Sequence, residues 1–121
     1  MTGLRITRAA RGDIKRILRR SETDFGEIIR NRYKALLNTA MADIAHDPQR
    51  QGVRAIDDVR PGYFVYHTRW SKRNVSGPSI KRLRHLLLFS RDDTTITIAA
   101  VVHERELLSK HIAVRATPSL E

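Results

Sequence analysis

Four side chains of this 121-residue chain have the types and spacing for acid–base work on a phosphodiester: Arg84, His85, Arg91 and His103. Histidine titrates near neutrality, and arginine stabilises the negative charge that builds on a phosphorane-like transition state. All four lie on or beside one segment, Leu83–Ile112. The competing reading is structural: histidines at strand ends bond to backbone, and arginines coat a wet face. Nothing in the sequence requires these groups to converge, so the structural reading weighs more, and no catalytic residue is assigned. The remaining chemistry is thinner. The five histidines, His46, His67, His85, His103 and His111, lack tight ligand spacing, and there is no cysteine for a thiolate metal site, a disulfide or a nucleophile. No glycine-rich phosphate loop and no serine nucleophile elbow occurs, so neither a metal nor a cofactor is expected. The carboxylate pairs Asp57-Asp58 and Asp92-Asp93 fall in predicted loops, where adjacent acids solvate turns.

The charge narrows the partners. Lys plus Arg number 23 against 13 Asp plus Glu, a net +10, which favours a polyanion or an acidic protein. The surplus is uneven. Residues 1–20 carry Arg5, Arg8, Arg11, Lys15, Arg16, Arg19 and Arg20 against Asp13 alone. Residues 69–91 carry Arg69, Lys72, Arg73, Lys81, Arg82, Arg84 and Arg91 and no acid. No apolar run approaches the roughly 20 residues that span a bilayer. The first residues, MTGLRITRAARGDIKR, lack the apolar core of a signal peptide. A cytoplasmic protein without membrane contact is expected.

The elements that must position these groups are legible from periodicity. Leu86–Phe89 and Ile96–Val102 flank an Asp-containing break and predict a β-hairpin. Both runs are largely apolar on two faces, which places the hairpin at the centre of a covered sheet. Leu4–Thr7 alternates as a first strand, and Tyr63–His67 is a further strand. Ala10, Ile14, Ile17 and Leu18 share one face of a helix over residues 9–20, weakened by Gly12. Ile29, Tyr33, Leu36, Leu37, Ala40 and Ile44 predict a second helix that stops before Pro48. Ser21–Gly26 reads as a polar joint, with Asp24 or Thr23 capping the second helix. Asp47–Gly62 reads as loop and Trp70–Ile80 as a polar connection. The fold class is α+β: a β-α-α-β-β-β, antiparallel-rich sheet covered by an N-terminal helical hairpin, with a short C-terminal helix at Leu107–His111. Residues 1–112 form one domain, and residues 113–121 are expected to be a flexible tail.

The succession of motifs resembles the ParE toxins of the RelE/ParE toxin–antitoxin superfamily. It comprises Asp13-Ile14 and Ile17, Phe25-Gly26, Arg32-Tyr33, Asp47-Pro48, Arg60-Pro61-Gly62, His85–Phe89, Ile96–Arg105 and Leu108–Ile112, in order, over residues 3–112. The resemblance implies the sheet derived above. It also implies a small toxin neutralised by a co-encoded ParD-like antitoxin, whose C-terminal segment orders as it wraps the toxin. ParE toxins are described as poisons of DNA gyrase. Relatives of the RelE type cut mRNA on the ribosome, and that endonuclease activity is the alternative reading. A general basic nucleic-acid-binding domain is a third reading, without a motif of its own. DNA is expected to be met only through antitoxin or gyrase.

Two sets of side chains suit these partners. An acidic amphipathic segment of the antitoxin would find apolar anchors in Tyr63, Tyr66 and Trp70 and charge partners in Arg11, Lys15, Arg60 and Arg84. His103, Arg105, Lys110 and His111 cluster after the hairpin and have little apolar work to do, which makes them the expected non-catalytic contact with gyrase.

Overall fold

The structure is a computed structural model that describes residues 3–75 and 83–106. A five-stranded sheet runs in the order β1-β5-β4-β3-β2, with β1 at Gly3–Ile6, β2 at Val53–Ala55, β3 at Tyr63–His67, β4 at His85–Arg91 and β5 at Thr95–His103. β1 lies parallel to β5, and the other pairs are antiparallel. Two helices, α1 (Arg8–Phe25) and α2 (Glu27–His46), form the hairpin over one face. The architecture is the α+β fold expected from the sequence. Part of the Trp70–Ile80 connection, the helix expected at Leu107–His111 and the tail lie outside the described residues.

Helix α1 starts where Thr7 accepts the N–H of Ala10 on its side-chain oxygen at 3.1 Å. It runs past Arg20 and takes in most of the expected joint. Two ion pairs support the extra turn: Arg20 reaches Asp24 at 2.8 Å, and Glu22 reaches Arg30 on α2 at 2.8 Å. Only Gly26 breaks the helix, at φ 92, a conformation that a side chain resists. The expected side-chain cap on α2 is absent: Gly26 holds the cap position, and Asp24 is drawn back to Arg20.

The core follows the predicted periodicities. Tyr33, Leu36, Leu37, Ala40 and Ile44 of α2 pack with Ala10 of α1 on Tyr66, Leu87, Phe89, Ile96, Ile98 and Val101. On the other sheet face Val65, Leu86, Leu88, Ala100 and Val102 meet Ile56, Val59 and Tyr63. Alternation along β5 is reset once. Leu88 pairs with Ala100 while Phe89 pairs with Ile98, so Ala99 is an extra residue, and Val101 joins the helical side. Beyond Ile98, β5 has run past β1, and α1 takes over the exposed edge. The Thr7 hydroxyl donates to the Ala99 carbonyl at 3.3 Å, and Asp13, 1% exposed, accepts the Val101 N–H at 3.1 Å.

The expected loop Asp47–Gly62 contains β2, which pairs with β3 through Val53, Arg54 and Ala55. It carries too little apolar surface to be read as a strand. After β3 the chain turns into a 3-10 helix, Thr68–Asn74, where connection was expected. Asp43 of α2 holds it by accepting from Ser71 Oγ at 2.6 Å and Asn74 Nδ2 at 3.0 Å, and it also pairs with Arg50 at 3.2 Å.

Candidate functional site

The end of β3, the start of β4 and the end of β5 bring three histidines together. His85 and His103 are register partners across β4 and β5, with ring centroids 5.4 Å apart and planes at 85°. His67 ends β3, on the other side of β4 from β5, where it pairs with Leu86. Glu104 joins the strand ends: one carboxylate oxygen accepts from His67 Nε2 at 3.2 Å and the other from Arg84 at 3.1 Å. The Glu104 N–H also donates to the Arg84 carbonyl at 2.7 Å. Beneath them, the Tyr33 hydroxyl of α2 is hydrogen-bonded to His85 Nδ1, and Thr68 donates to the His85 carbonyl at 3.0 Å.

These bonds fix what the rings can do. His67 Nδ1 accepts the Arg69 N–H at 3.1 Å, which leaves the proton on Nε2, facing Glu104. His103 Nδ1 likewise accepts the Arg105 N–H at 3.0 Å. Burial pushes the His67 pKa down, against the opposing pull of Glu104. Its bond to His67, aided by Arg84, holds the Glu104 carboxyl below the usual carboxylate range. Burial pushes the Tyr33 hydroxyl up to about 12, so it stays protonated at neutral pH. Each histidine thus has a ring nitrogen engaged in holding the strand ends. The arrangement fixes the orientation of the three rings.

The structure sorts the expected residues. His85, His103 and Arg84 converge. Arg91 does not: it stands at the far end of β4, with its guanidinium 4.7 Å from the Phe64 ring centroid. Arg105 is exposed on the 3-10 turn Glu104–Glu106, beside His103. Lys110 and His111 lie outside the described residues. The antitoxin set scatters. Arg11 and Lys15 are exposed on α1, Arg60 and Tyr63 lie near the start of β3, and Trp70 and Arg84 lie beyond its end. Tyr66 never reaches the surface. It is fully buried and its hydroxyl meets Ser71 Oγ at 2.7 Å, because β3 turns that ring toward α2. Trp70 is 38% exposed and lies against Gly52.

A family model, the ParE toxin of the parDE type II toxin–antitoxin system, matches residues 4–108. The chain belongs to the ParE toxin family. No curated protein matches it in sequence. The matched span takes in the helical hairpin, β1 from Leu4 onward, the other four strands and the histidine cluster, so the cluster lies within the part of the chain that matches the ParE family. Membership makes this chain a toxin of a type II system with an antitoxin partner. Among the described residues no helix is long and apolar enough to cross a membrane.

Sequence reasoning missed three members of this cluster in the ParE-family chain. His67 and Glu104 sit 37 positions apart, and only the strand order β5-β4-β3 brings them together. Tyr33 was legible as a core residue of α2, but its hydroxyl's partner, 52 positions away, was not. The available signal was polar: His67 and His85 each border an apolar strand run and so had to lie at the same end of an antiparallel pair.

Proposed function

We propose that this ParE-family toxin poisons DNA gyrase without catalysing a reaction of its own, and that a ParD-like antitoxin neutralises it by wrapping its surface. The resemblance to ParE toxins, described as gyrase poisons, supports the non-catalytic reading, and the observation that supports a docking role is the fixed orientation of the rings: His67 and His103 accept backbone N–H groups and His85 bonds Tyr33, which makes the cluster a rigid rim. Arg105, exposed beside His103, extends that rim, and Lys110 and His111 follow in sequence. These residues dock the toxin on gyrase and hold it in its DNA-cleaved state. The +10 charge speeds association with such a polyanionic assembly in the cytoplasm. The antitoxin's ordered segment uses Trp70 and Tyr63 as apolar anchors, with Arg60 and Arg84 as charge partners. These lie toward opposite ends of β3, so a segment that visits both sets must be long.

A supercoiling assay with purified gyrase tests this. Toxin should trap cleaved DNA, and Arg105→Glu with Lys110→Glu should abolish trapping in a folded protein. Full gyrase activity at large molar excess of toxin would overturn the reading. Codon-specific mRNA cleavage on ribosomes, lost in His85→Ala or Arg84→Ala, would establish the endonuclease in its place.

A further inference from the structure

The outer face of α1 is a second charged surface, separate from the histidine rim. Arg8, Arg11, Lys15 and Arg19 fall within about 80° of arc on one side of the helix and run along about 16 Å of its axis. All four are exposed. The other two basic residues of α1 before its last turn are matched to acids: Arg16 lies 2.6 Å from Asp13 and Arg20 lies 2.8 Å from Asp24. Arg11, Lys15 and Arg19 form no ion pair among the described residues. The helix therefore matches its flank to acids and leaves Arg11, Lys15 and Arg19 on the crest without an acidic partner among the described residues.

We infer that this crest binds the phosphodiester backbone of DNA directly. Successive cations along it are about 5–6 Å apart, and about 16 Å of duplex presents roughly five phosphates on each strand. No large apolar side chain interrupts the crest; Ile14, Ile17 and Leu18 all face inward. A protein partner would want an aromatic or aliphatic anchor there, whereas a polyanion needs only spaced cations. The acids bound the footprint. Glu22, Asp24 and Glu27 gather at the tip of the helical hairpin, so the contact runs from Arg8 to Arg19 and stops short of Gly26. This goes beyond the gyrase reading and departs from the sequence expectation that DNA is met only through antitoxin or gyrase: the toxin grips DNA itself, with or without the enzyme that holds it.

The test needs no gyrase. Binding of the full chain to a fluorescent duplex of mixed sequence is measured over a range of salt concentrations. It is repeated with the triple variant Arg11→Gln, Lys15→Gln and Arg19→Gln and with an equal-charge control, Arg69→Gln, Lys72→Gln and Arg73→Gln. The crest variant should bind roughly tenfold or more weakly, and its log-affinity against log-salt slope should shrink by about 0.9 for each cation removed. The control should change by less than about threefold, with both variants matching the parent's circular dichroism. Equal losses in the two variants would mean diffuse attraction to net charge and would overturn the assignment. So would unchanged DNA binding in a crest variant that has lost its antitoxin, which would give the crest to the protein partner.

Discussion

The carboxylate of Asp13 on α1 accepts the backbone N–H of Val101 on β5 at 3.1 Å, doing for the edge of β5 what a longer β1 would otherwise do. The carboxylate is buried and also meets Arg16 at 2.6 Å. Asp13→Ala leaves a buried N–H unpaired, which costs about 2–3 kcal/mol. In a domain of this size that lowers Tm by roughly 10 °C, measured by thermal circular dichroism. Asp13→Asn keeps an acceptor and should recover more than half of the loss.

Gly52 is held at φ +101, and a Cβ added there would stand 2.5 Å from Cγ of Trp70. Gly52→Ala therefore combines backbone strain with a clash and should destabilise by about 1–3 kcal/mol. Trp70 is the sole tryptophan, so its displacement can be read directly. The emission maximum should move to longer wavelength as the ring leaves the glycine. If Trp70 anchors the antitoxin, the same substitution should weaken the complex.

Acid should loosen the histidine end of the sheet. Burial holds the His67 pKa below its ordinary 6.5, so the fold favours the neutral ring. Above that pH the ring is neutral in both states and contributes no pH dependence. As pH falls through 6.5 the unfolded chain takes up a proton that the folded chain resists, and stability is lost. Glu104 acts lower down. Its depressed pKa stabilises the fold above the ordinary 4.5, and this contribution is lost as pH falls through the folded value. Urea titrations should show unfolding free energy declining just below pH 6.5, and His67→Asn should flatten that part of the curve. Glu104→Gln removes the group that raises His67, so the ring's titration by NMR should move to still lower pH.

Gly12 lies in the middle of α1 with nothing within 4 Å of where a Cβ would be. Gly12→Ala should stabilise the domain by about 0.5–1 kcal/mol through helix propensity. Tm should rise by a few degrees with the far-ultraviolet spectrum unchanged.

Much of this fold could be read before the coordinates, where one rule acted at a time. Tyr33, Leu36, Leu37, Ala40 and Ile44 announce α2 because helical spacing and burial coincide there. The strands β3, β4 and β5 are legible for the same reason. The reading fell short where tertiary bonds replaced local signals. The last turn of α1 is polar and looks like a joint, yet ion pairs keep it helical. The Thr68–Asn74 turn depends on Asp43, some 28 positions away in its bond to Ser71. The site was half visible. Arg84, His85 and His103 share one hairpin, while His67 and Glu104 needed the strand order to meet. Asp13 looked like a lone acid among cations, and nothing local revealed that a backbone edge would claim it.

The parallel pairing of β1 with β5 bears on how the protein is made. Gly3 aligns with Thr95, and the Thr7 contact to Ala99 spans 92 positions, so the edge of the sheet closes only when distant segments meet. Both helices can begin to coil as they leave the ribosome, but the apolar face of α1 has no β5 to settle on until that strand is synthesised. Such distant pairing slows folding and prolongs exposure of apolar surface. A chain that ends before Thr95 lacks the partner of β1 and the surface on which α1 packs, so the edge of the sheet and the seat of the helical hairpin are completed only once β5 has been made.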